Sequence, residues 1–370
     1  MHRFLWRKLV SEADRAWALA QYPLRKDALL STLAASMSRV NIETTNICNA
    51  DCVFCAYQHQ ERPKGVMSDE LFGKVIDDFV ACGGGKLGLT PTVGDPLVDP
   101  GLIDRIAYAR RQPGITTIEM YSNMISLQRF GAAALVNSGL SSLIVSTSGP
   151  DEAMYQRVYR SKMYRTMLAN VLAFAAANNA AGRPVKLFVD MRVDRPLRRV
   201  CAMADYKTVA DAVGPQNIGV KFRYDAWGGK IKQSDLSGNM KLRRFHHLHL
   251  TPCSEMYAGP QVYWDGKVGA CSCRDVNASE LVIGDVSRHH LGEIWFGAEL
   301  QRLRDEFLTD KRNPLCKECS HYNNVSIYLT RRGKHRLAQL EPSPYARRGV
   351  SQRGKHDDRD VPLPVLPPGA

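Results

Sequence analysis

The chain has 370 residues, 44% hydrophobic and 24% charged, a balance that suits a soluble globular protein with one large domain and a smaller one. Its formal net charge of +13 sits mostly at the ends: residues 1–40 hold seven Lys and Arg against three acids and residues 331–359 nine against three, that is +4 and +6. The near-neutral middle argues against a nucleic-acid substrate, and the basic ends read as solvated tails or docking arms for acidic partners.

The basic first ten residues lack a following apolar h-region and cleavage site, and no apolar run is long enough to span a bilayer. A cytoplasmic protein is expected, in which ten cysteines read as metal ligands or free thiols before they read as disulfides. Residues 1–37, with Leu5, Leu9, Trp17, Leu29 and Leu33 among charged residues, predict one or two short amphipathic helices outside the main domain. From Arg39 a β–α alternation sets in. A strand at Val40 and Ile42 leads into a cysteine loop, and Ser68-Asp69-Glu70 caps a helix with Leu71, Val75, Ile76 and Phe79 on one face, ended by Gly83-Gly84-Gly85. Strands follow at about 86–92, 116–121, 142–147, 185–191 and 218–224, with helices at about 100–111, 127–138, 164–179 and 200–213 between them. Six such units over residues 38–245 predict an α/β fold, a partial (β/α)6 barrel of parallel strands whose chemistry lies at their carboxyl ends.

The loop after the first strand carries Cys48, Cys52 and Cys55 in the spacing C-x3-C-x2-C. Three thiolates can hold three corners of an iron–sulfur cube and leave the fourth iron open, which marks a reactive site; half of a zinc module completed elsewhere is the plainer alternative. The spacing, with Tyr57 two places on, resembles the radical S-adenosylmethionine (radical SAM) superfamily. The resemblance implies a [4Fe–4S] cluster on the three cysteines, SAM chelating the open iron, Tyr57 near the adenine, and a 5′-deoxyadenosyl radical that takes hydrogen from the substrate. It further implies that Gly94 and Asp95, in Thr92-Val93-Gly94-Asp95-Pro96, stand in the family's Gly-Gly-Glu-Pro place and meet the SAM amino group, with Asp replacing Glu and Val the first Gly. Ser122, Asn123, Ser146 and Ser148 would serve ribose and carboxylate, and Arg157 or Arg160 would pair with the carboxylate. Read locally, Gly-Asp-Pro is also an ordinary turn, and either arginine suits a surface.

After the sixth strand come residues 225–230, then a polar connection with His246, His247 and His249 that reads as the boundary between domains, its histidines a solvated linker or, as the alternative, a metal site. Beyond it lie Cys253, Cys271, Cys273, Cys316 and Cys319, a hairpin with Asp265-Gly266 at its turn, a strand at 281–285 and a helix at about 291–307. Four thiolates make a closed site for zinc or an iron–sulfur cluster. The order of these features resembles the SPASM/Twitch extension of radical SAM enzymes, most closely the Twitch form of aminocyclitol dehydrogenases. That resemblance implies a small α+β domain over residues 246–325 in which Cys253, Cys271, Cys316 and Cys319 hold a second, auxiliary [4Fe–4S] cluster. Cys273 is left over, as a packed thiol, an alternative ligand, or a catalytic hydrogen donor to the substrate radical. Cys82 and Cys201 read as packed thiols. Residues 326–370 form a basic, Pro-rich tail, and 341–370 are expected to be disordered.

An auxiliary cluster beside the substrate offers an exit for an electron. The expected activity is therefore oxidation or epimerisation of a sugar, aminocyclitol or similar polar metabolite, fed by an external one-electron donor such as flavodoxin or ferredoxin. The alternatives are a maturase acting on a ribosomally made peptide and, from a different class, a metal-stabilised binding module.

Overall fold

The computed structural model describes residues 2–148, 150–243, 249–272, 274–309 and 311–346. Its first element is one helix, α1 (His2–Ala34), with Pro23 inside it, where the sequence pattern predicts one or two shorter ones. Strand β1 (Arg39–Ile42) follows, with Val40 and Ile42 buried. Helix α2 (Asp69–Ala81) starts where the Ser68 hydroxyl accepts from the Leu71 N–H (3.2 Å), with Asp69 and Glu70 in its first turn. It buries Phe72, Val75, Ile76 and Phe79 and ends as Gly83, Gly84 and Gly85 take positive φ. A Cβ on Gly84 would stand 2.2 Å from the Gly114 carbonyl, so the exit to β2 (Gly85–Gly88) requires glycine.

The alternation continues through α3 (Leu102–Arg111), β3 (Ile115–Ser122), α4 (Ala132–Asn137), β4 (Ser142–Thr147), α5 (Glu152–Tyr159), α6 (Tyr164–Ala180), β5 (Lys186–Arg192), α7 (Leu197–Cys201), α8 (Ala204–Val213) and β6 (Ile218–Lys221). Strands β1 to β6 lie side by side, all parallel, as expected of a partial barrel. Local departures from expectation have local causes. The helix expected at 127–138 is broken at Gly131 (φ 82°), and the last strand breaks at Phe222, after which β7 (Arg223–Tyr224) pairs with β8 (Lys241–Leu242) in a separate ribbon. Helix α5, capped by the Asp151 carboxylate at Met154 N–H (2.7 Å), was not anticipated.

The carboxyl-terminal unit comprises α9 (Glu255–Ala258), the hairpin β9 (Gln261–Val262) and β10 (Lys267–Gly269), β11 (Val282–Asp285), α10 (Leu291–Trp295), α11 (Ala298–Glu306), α12 (Pro314–Lys317) and α13 (Arg331–Leu337). The hairpin does not form a sheet of its own. Strand β9 pairs in parallel with β1, Asn41 with Gln261 and Ile42 with Val262, so nine strands run in the order β11-β10-β9-β1-β2-β3-β4-β5-β6. The junction needs a close backbone approach: Gly259 has φ 151°, and a Cβ there would overlap the Arg39 carbonyl at 1.7 Å. Beside it, Arg62 donates to both oxygens of the buried Glu43 (2.8 and 3.0 Å) and to the Val276 carbonyl (2.9 Å), with its guanidinium 4.7 Å over the Tyr263 ring. One hydrophobic core runs through both units, from Ala18 to Leu329.

The tail begins later than expected. The 3-10 turn Val325–Leu329 and α13 pack on α1, where the Asp14 carboxylate accepts from Arg331 N–H (3.2 Å). Ser343 N–H donates to Ala35 O (2.8 Å), and Tyr345 stacks on His290 at 4.4 Å. Residues 326–346 are therefore folded, because aromatic and backbone groups find partners beside α1 and α10, and of the tail 347–370 lie outside the described residues. Ending the chain after Pro342 rather than after Ala346 is expected to cost about 1–3 kcal/mol in urea unfolding, through loss of the stack and the hydrogen bond. Equal midpoints for the two truncations would show that residues 343–346 do not pack.

Candidate active site

The carboxyl ends of the barrel strands open on a cavity of about 320 Å³. The three-cysteine loop forms one wall of it. Its backbone is pinned from both sides: Asp51 N–H donates to Tyr159 O (3.2 Å), Val53 N–H to Val158 O (3.0 Å), and Cys55 N–H to Cys52 O (3.1 Å). Asn46, at the loop entrance, reaches Pro63 O and Gly65 N–H and closes the loop on itself. Cys48, Cys52 and Cys55 all line the cavity. Burial pushes all three thiols up; at Cys48 the nearby Asp95 and Cys55 add to it, and at Cys52 the other two cysteines do. Three thiols whose ionisation is opposed in this way need a cationic partner to become thiolates, which is what a cluster of irons supplies.

Gly94 and Asp95 reach the same cavity from the end of the β2 loop. Gly94 has φ 133°, and a Cβ there would press on the Thr45 carbonyl at 2.9 Å. Asp95 does not turn its oxygens to an incoming group. They accept from Leu97 N–H (3.0 Å), Asn123 N–H (2.6 Å) and the Ser122 hydroxyl (3.0 Å), and burial pushes the carboxyl up to about 6. Asp95 thus ties the β2 loop to the end of β3 and aims Asn123, whose amide donates to Asn49 Oδ1 (2.6 Å) and stands 3.8 Å from the Cys48 sulfur. The open group on this loop is Thr92, whose buried hydroxyl has no hydrogen-bond partner among the described residues and which lines the cavity.

Ser146 lines the cavity and is held by Tyr159 (2.9 Å) and Arg192 (2.6 Å), whereas Ser148 is fully buried and Tyr57 lies in a satellite apolar cluster with Ala56 and Val276; neither is part of the lining. Both arginines singled out in the sequence point elsewhere. Arg157 pairs with Asp194 (2.9 Å), and Arg160, in left-handed backbone after α5, reaches Asp51 (3.4 Å) and Gln58 (2.9 Å). Other arginines line the cavity instead, among them Arg192, the last residue of β5, 4.9 Å over Phe54 and 3.3 Å from Asp190. Its position at a strand's carboxyl end was the only sequence signal for it.

The opposite wall comes from residues to which the sequence assigned no role. Trp227 donates to Phe54 O (3.0 Å), Arg274 stands 4.4 Å over its ring, and Arg274 pairs with Asp225, which also accepts from Ser320 (3.0 Å). Burial works against charge on Asp225, but Arg274 outweighs it and holds the carboxyl below its ordinary value. His249 is no solvated linker residue: it stacks on Tyr322 at 3.9 Å and bonds to Cys319 O (3.2 Å), while His246 and His247 lie outside the described residues.

Behind this wall lies the second thiol set. Cys253 is buried before α9, Cys271 follows β10, and Cys316 and Cys319 flank the end of α12. Burial pushes the Cys316 thiol up to about 12, with Cys319 adding to it, and Cys253 also feels Cys319. Cys273 lies outside the described residues. Among the described residues no three His, Cys, Asp or Glu side chains converge on the position of a single ion, and no helix is long and apolar enough to cross a membrane.

A thiol-lined cavity at the carboxyl ends of a partial parallel barrel, backed by a second thiol set, defines the class. Residues 42–190 match the radical SAM superfamily and residues 253–320 match SPASM, an iron–sulfur cluster-binding domain. The chain belongs to the radical SAM superfamily and is a radical SAM enzyme with a SPASM-type extension; SAM, its [4Fe–4S] cluster and an auxiliary cluster are the cofactors of these two domains. Among its relatives is a GTP 3',8-cyclase of Pseudomonas putida, 26% identical over 71% of this chain and 75% of that one. GTP 3',8-cyclase 1 of Pseudomonas aeruginosa is 30% identical over 45% of this chain and 50% of its own. Two solved structures share the fold: BtrN in complex with AdoMet and 2-DOIA (TM-score 0.52, 16% identity, 78% of this chain and 95% of that one) and Streptococcus suis SuiB bound to precursor peptide SuiA (TM-score 0.53, 10% identity, 80% and 74%).

Proposed function

We propose that Cys48, Cys52 and Cys55 hold the SAM-binding cluster, that Cys253, Cys271, Cys316 and Cys319 hold the auxiliary one, and that the enzyme oxidises or epimerises a small polar metabolite. When bound, the first cluster and SAM supply hydrogen-atom abstraction from the substrate. The chain's own residues orient and enclose. Asn123 and Asn49 fix the Cys48 side of the loop, Thr92 offers its hydroxyl to SAM, Arg192 stands where a carboxylate can be paired, and Phe54, Tyr224 and Trp227 exclude water. Gly94 lets the β2 loop pack against the entrance of the cysteine loop, because a side chain there would press on the Thr45 carbonyl and the Asn46 backbone.

The observation that carries this reading is the double-sided cavity. One wall is the three-thiol loop; the other is Trp227, Arg274 and His321, which adjoin the second thiol set. A substrate lying between them has a path for an electron towards the auxiliary cluster, as net oxidation requires. The cavity's lining of charged and aromatic side chains suits a polar metabolite.

Anaerobically reconstituted protein given a one-electron reductant, such as reduced flavodoxin or ferredoxin, should cleave SAM to 5′-deoxyadenosine. Absence of that product from iron-replete protein overturns the proposal. With the turnover substrate in deuterated water, deuterium in the product and its loss in Cys273→Ala mark an epimerase, whereas an oxidised product unaffected by Cys273→Ala marks a dehydrogenase. Turnover of a peptide alone would move the chain to the maturases.

A further inference from the structure

Among the described residues the inner cavity has an excess of positive charge, part of which faces the thiols, Arg192 beside Cys52 and Cys55 and Arg274 beside Cys55. Arg192, Lys221, Arg223, Arg243 and Arg274 line it, against two carboxylates, Asp95 and Asp225. Both of those are already engaged, Asp95 by N–H and O–H donors and Asp225 by Arg274, the Trp227 N–H and Ser320. Asp190 lies beneath the cluster and is shared between Lys221 (2.5 Å) and Arg192 (3.3 Å), one carboxylate for two cations.

The placement of the cations is not diffuse. An outer cavity of about 770 Å³ adjoins the inner one, and Lys221, Arg223, Arg243 and His321 line both, so they form the threshold between them. Arg15 of α1 lines the outer cavity, where Glu12 is the one acid among the described lining residues. The threshold is built by the short ribbon: Arg223 pairs in register with Lys241, and Arg243 N–H, just past β8, donates to Tyr224 O (2.7 Å), which holds Arg223 and Arg243 on the same ribbon. The break of the sixth strand at Phe222, which interrupts the barrel sheet, is thus what turns this ribbon towards the mouth.

We infer that Lys221, Arg223 and Arg243 form an anion-binding threshold, and that the substrate carries a phosphate or carboxylate group held there while its reacting part lies inward beside Cys48 and Cys55. Arginine forks match the oxygens of both groups, and a cavity whose walls carry an excess of one sign concentrates ligands of the other. The inference deepens the metabolite reading above and rests on it: among polar metabolites it selects acids, and it disfavours free aminocyclitols, whose ammonium groups the same wall repels.

The test uses the full-length, iron-reconstituted protein with SAM bound, titrated by calorimetry with pyrophosphate, with citrate and with the neutral polyol myo-inositol. Pyrophosphate or citrate should bind, the tighter of the two assigning the group, and myo-inositol should not. Binding should weaken as potassium chloride is raised, since exposed charge interactions are screened. Arg223→Gln combined with Arg243→Gln should weaken the anion by roughly tenfold or more, the least expected of a lost charge-assisted hydrogen bond, with iron content reporting whether that variant folds. Salt-insensitive binding, equal binding of myo-inositol, no anion binding, unchanged affinity in a folded variant, or displacement of SAM by pyrophosphate would each overturn the inference. If the variant does not fold, the salt series on the unaltered protein decides alone. Failure of SAM cleavage in that same protein sinks the enzymatic reading instead, and the two failures are separately visible.

Discussion

Protein in which Cys48, Cys52 and Cys55 are together replaced by alanine is expected to reconstitute with about four irons in place of about eight, and to lose reductive SAM cleavage entirely. The three thiols share one pinned loop and one cavity, so no other cysteine among the described residues can take their place there. Replacing Cys316 and Cys319 should also remove about four irons but leave SAM cleavage in place, because the second set lies behind Trp227 and Arg274 and outside the cavity lining. Iron and sulfide assays with 5′-deoxyadenosine quantitation read both outcomes. Retained SAM cleavage in the triple variant, or zinc in place of iron at the second set, contradicts the assignment.

Arg62→Met should be the most destabilising single substitution away from the thiols, by about 3–5 kcal/mol, the range for removing one partner of a buried pair. Glu43 is buried and receives both prongs of the Arg62 guanidinium. Without Arg62 the carboxylate keeps its burial penalty, which already pushes its pKa up and which Arg62 opposes. The sign with pH follows. A carboxyl whose folded pKa lies above its unfolded value costs stability once the unfolded chain ionises, so the deficit of Arg62→Met should shrink as pH falls from about 8 towards 5. The pair Glu43→Leu with Arg62→Met should recover most of the loss, since nothing charged is left buried. Urea midpoints for the two variants across that pH range measure this, and a deficit that grows on acidification would contradict it.

What the sequence made legible was local or periodic. The β–α alternation gave the parallel sheet, Asp265-Gly266 the hairpin turn, and the C-x3-C-x2-C spacing the loop that the structure places in the cavity. The rest is set by distant parts of the chain. Arg192 is an ordinary strand residue until β4 and Phe54 surround it, and Arg160 is turned to Asp51 by a left-handed residue that ends a helix absent from the periodicity. Asp225 and Trp227 carry no signal in the sequence because their partners, Arg274 and Phe54, come from elsewhere in the chain. The continuity of α1 past Pro23 rests on its packing against the 3-10 turn at 325–329 and α13, at the far end of the chain.

The parallel pairing of β9 with β1 bears on how the chain is made. Strand β1 is synthesised early, and β2 can satisfy one of its edges soon afterwards, but its other edge has no partner until residues 261–262 emerge. For most of synthesis, then, the nascent barrel presents a strand with unpaired backbone groups next to the three-cysteine loop, the kind of edge that recruits other chains. Such a long-range pairing also forms slowly, because the intervening loop must close before any contact rewards it. A fragment that stops after the barrel strands would leave that edge permanently open, and the SPASM-type unit is in this sense the piece that finishes the barrel's first strand.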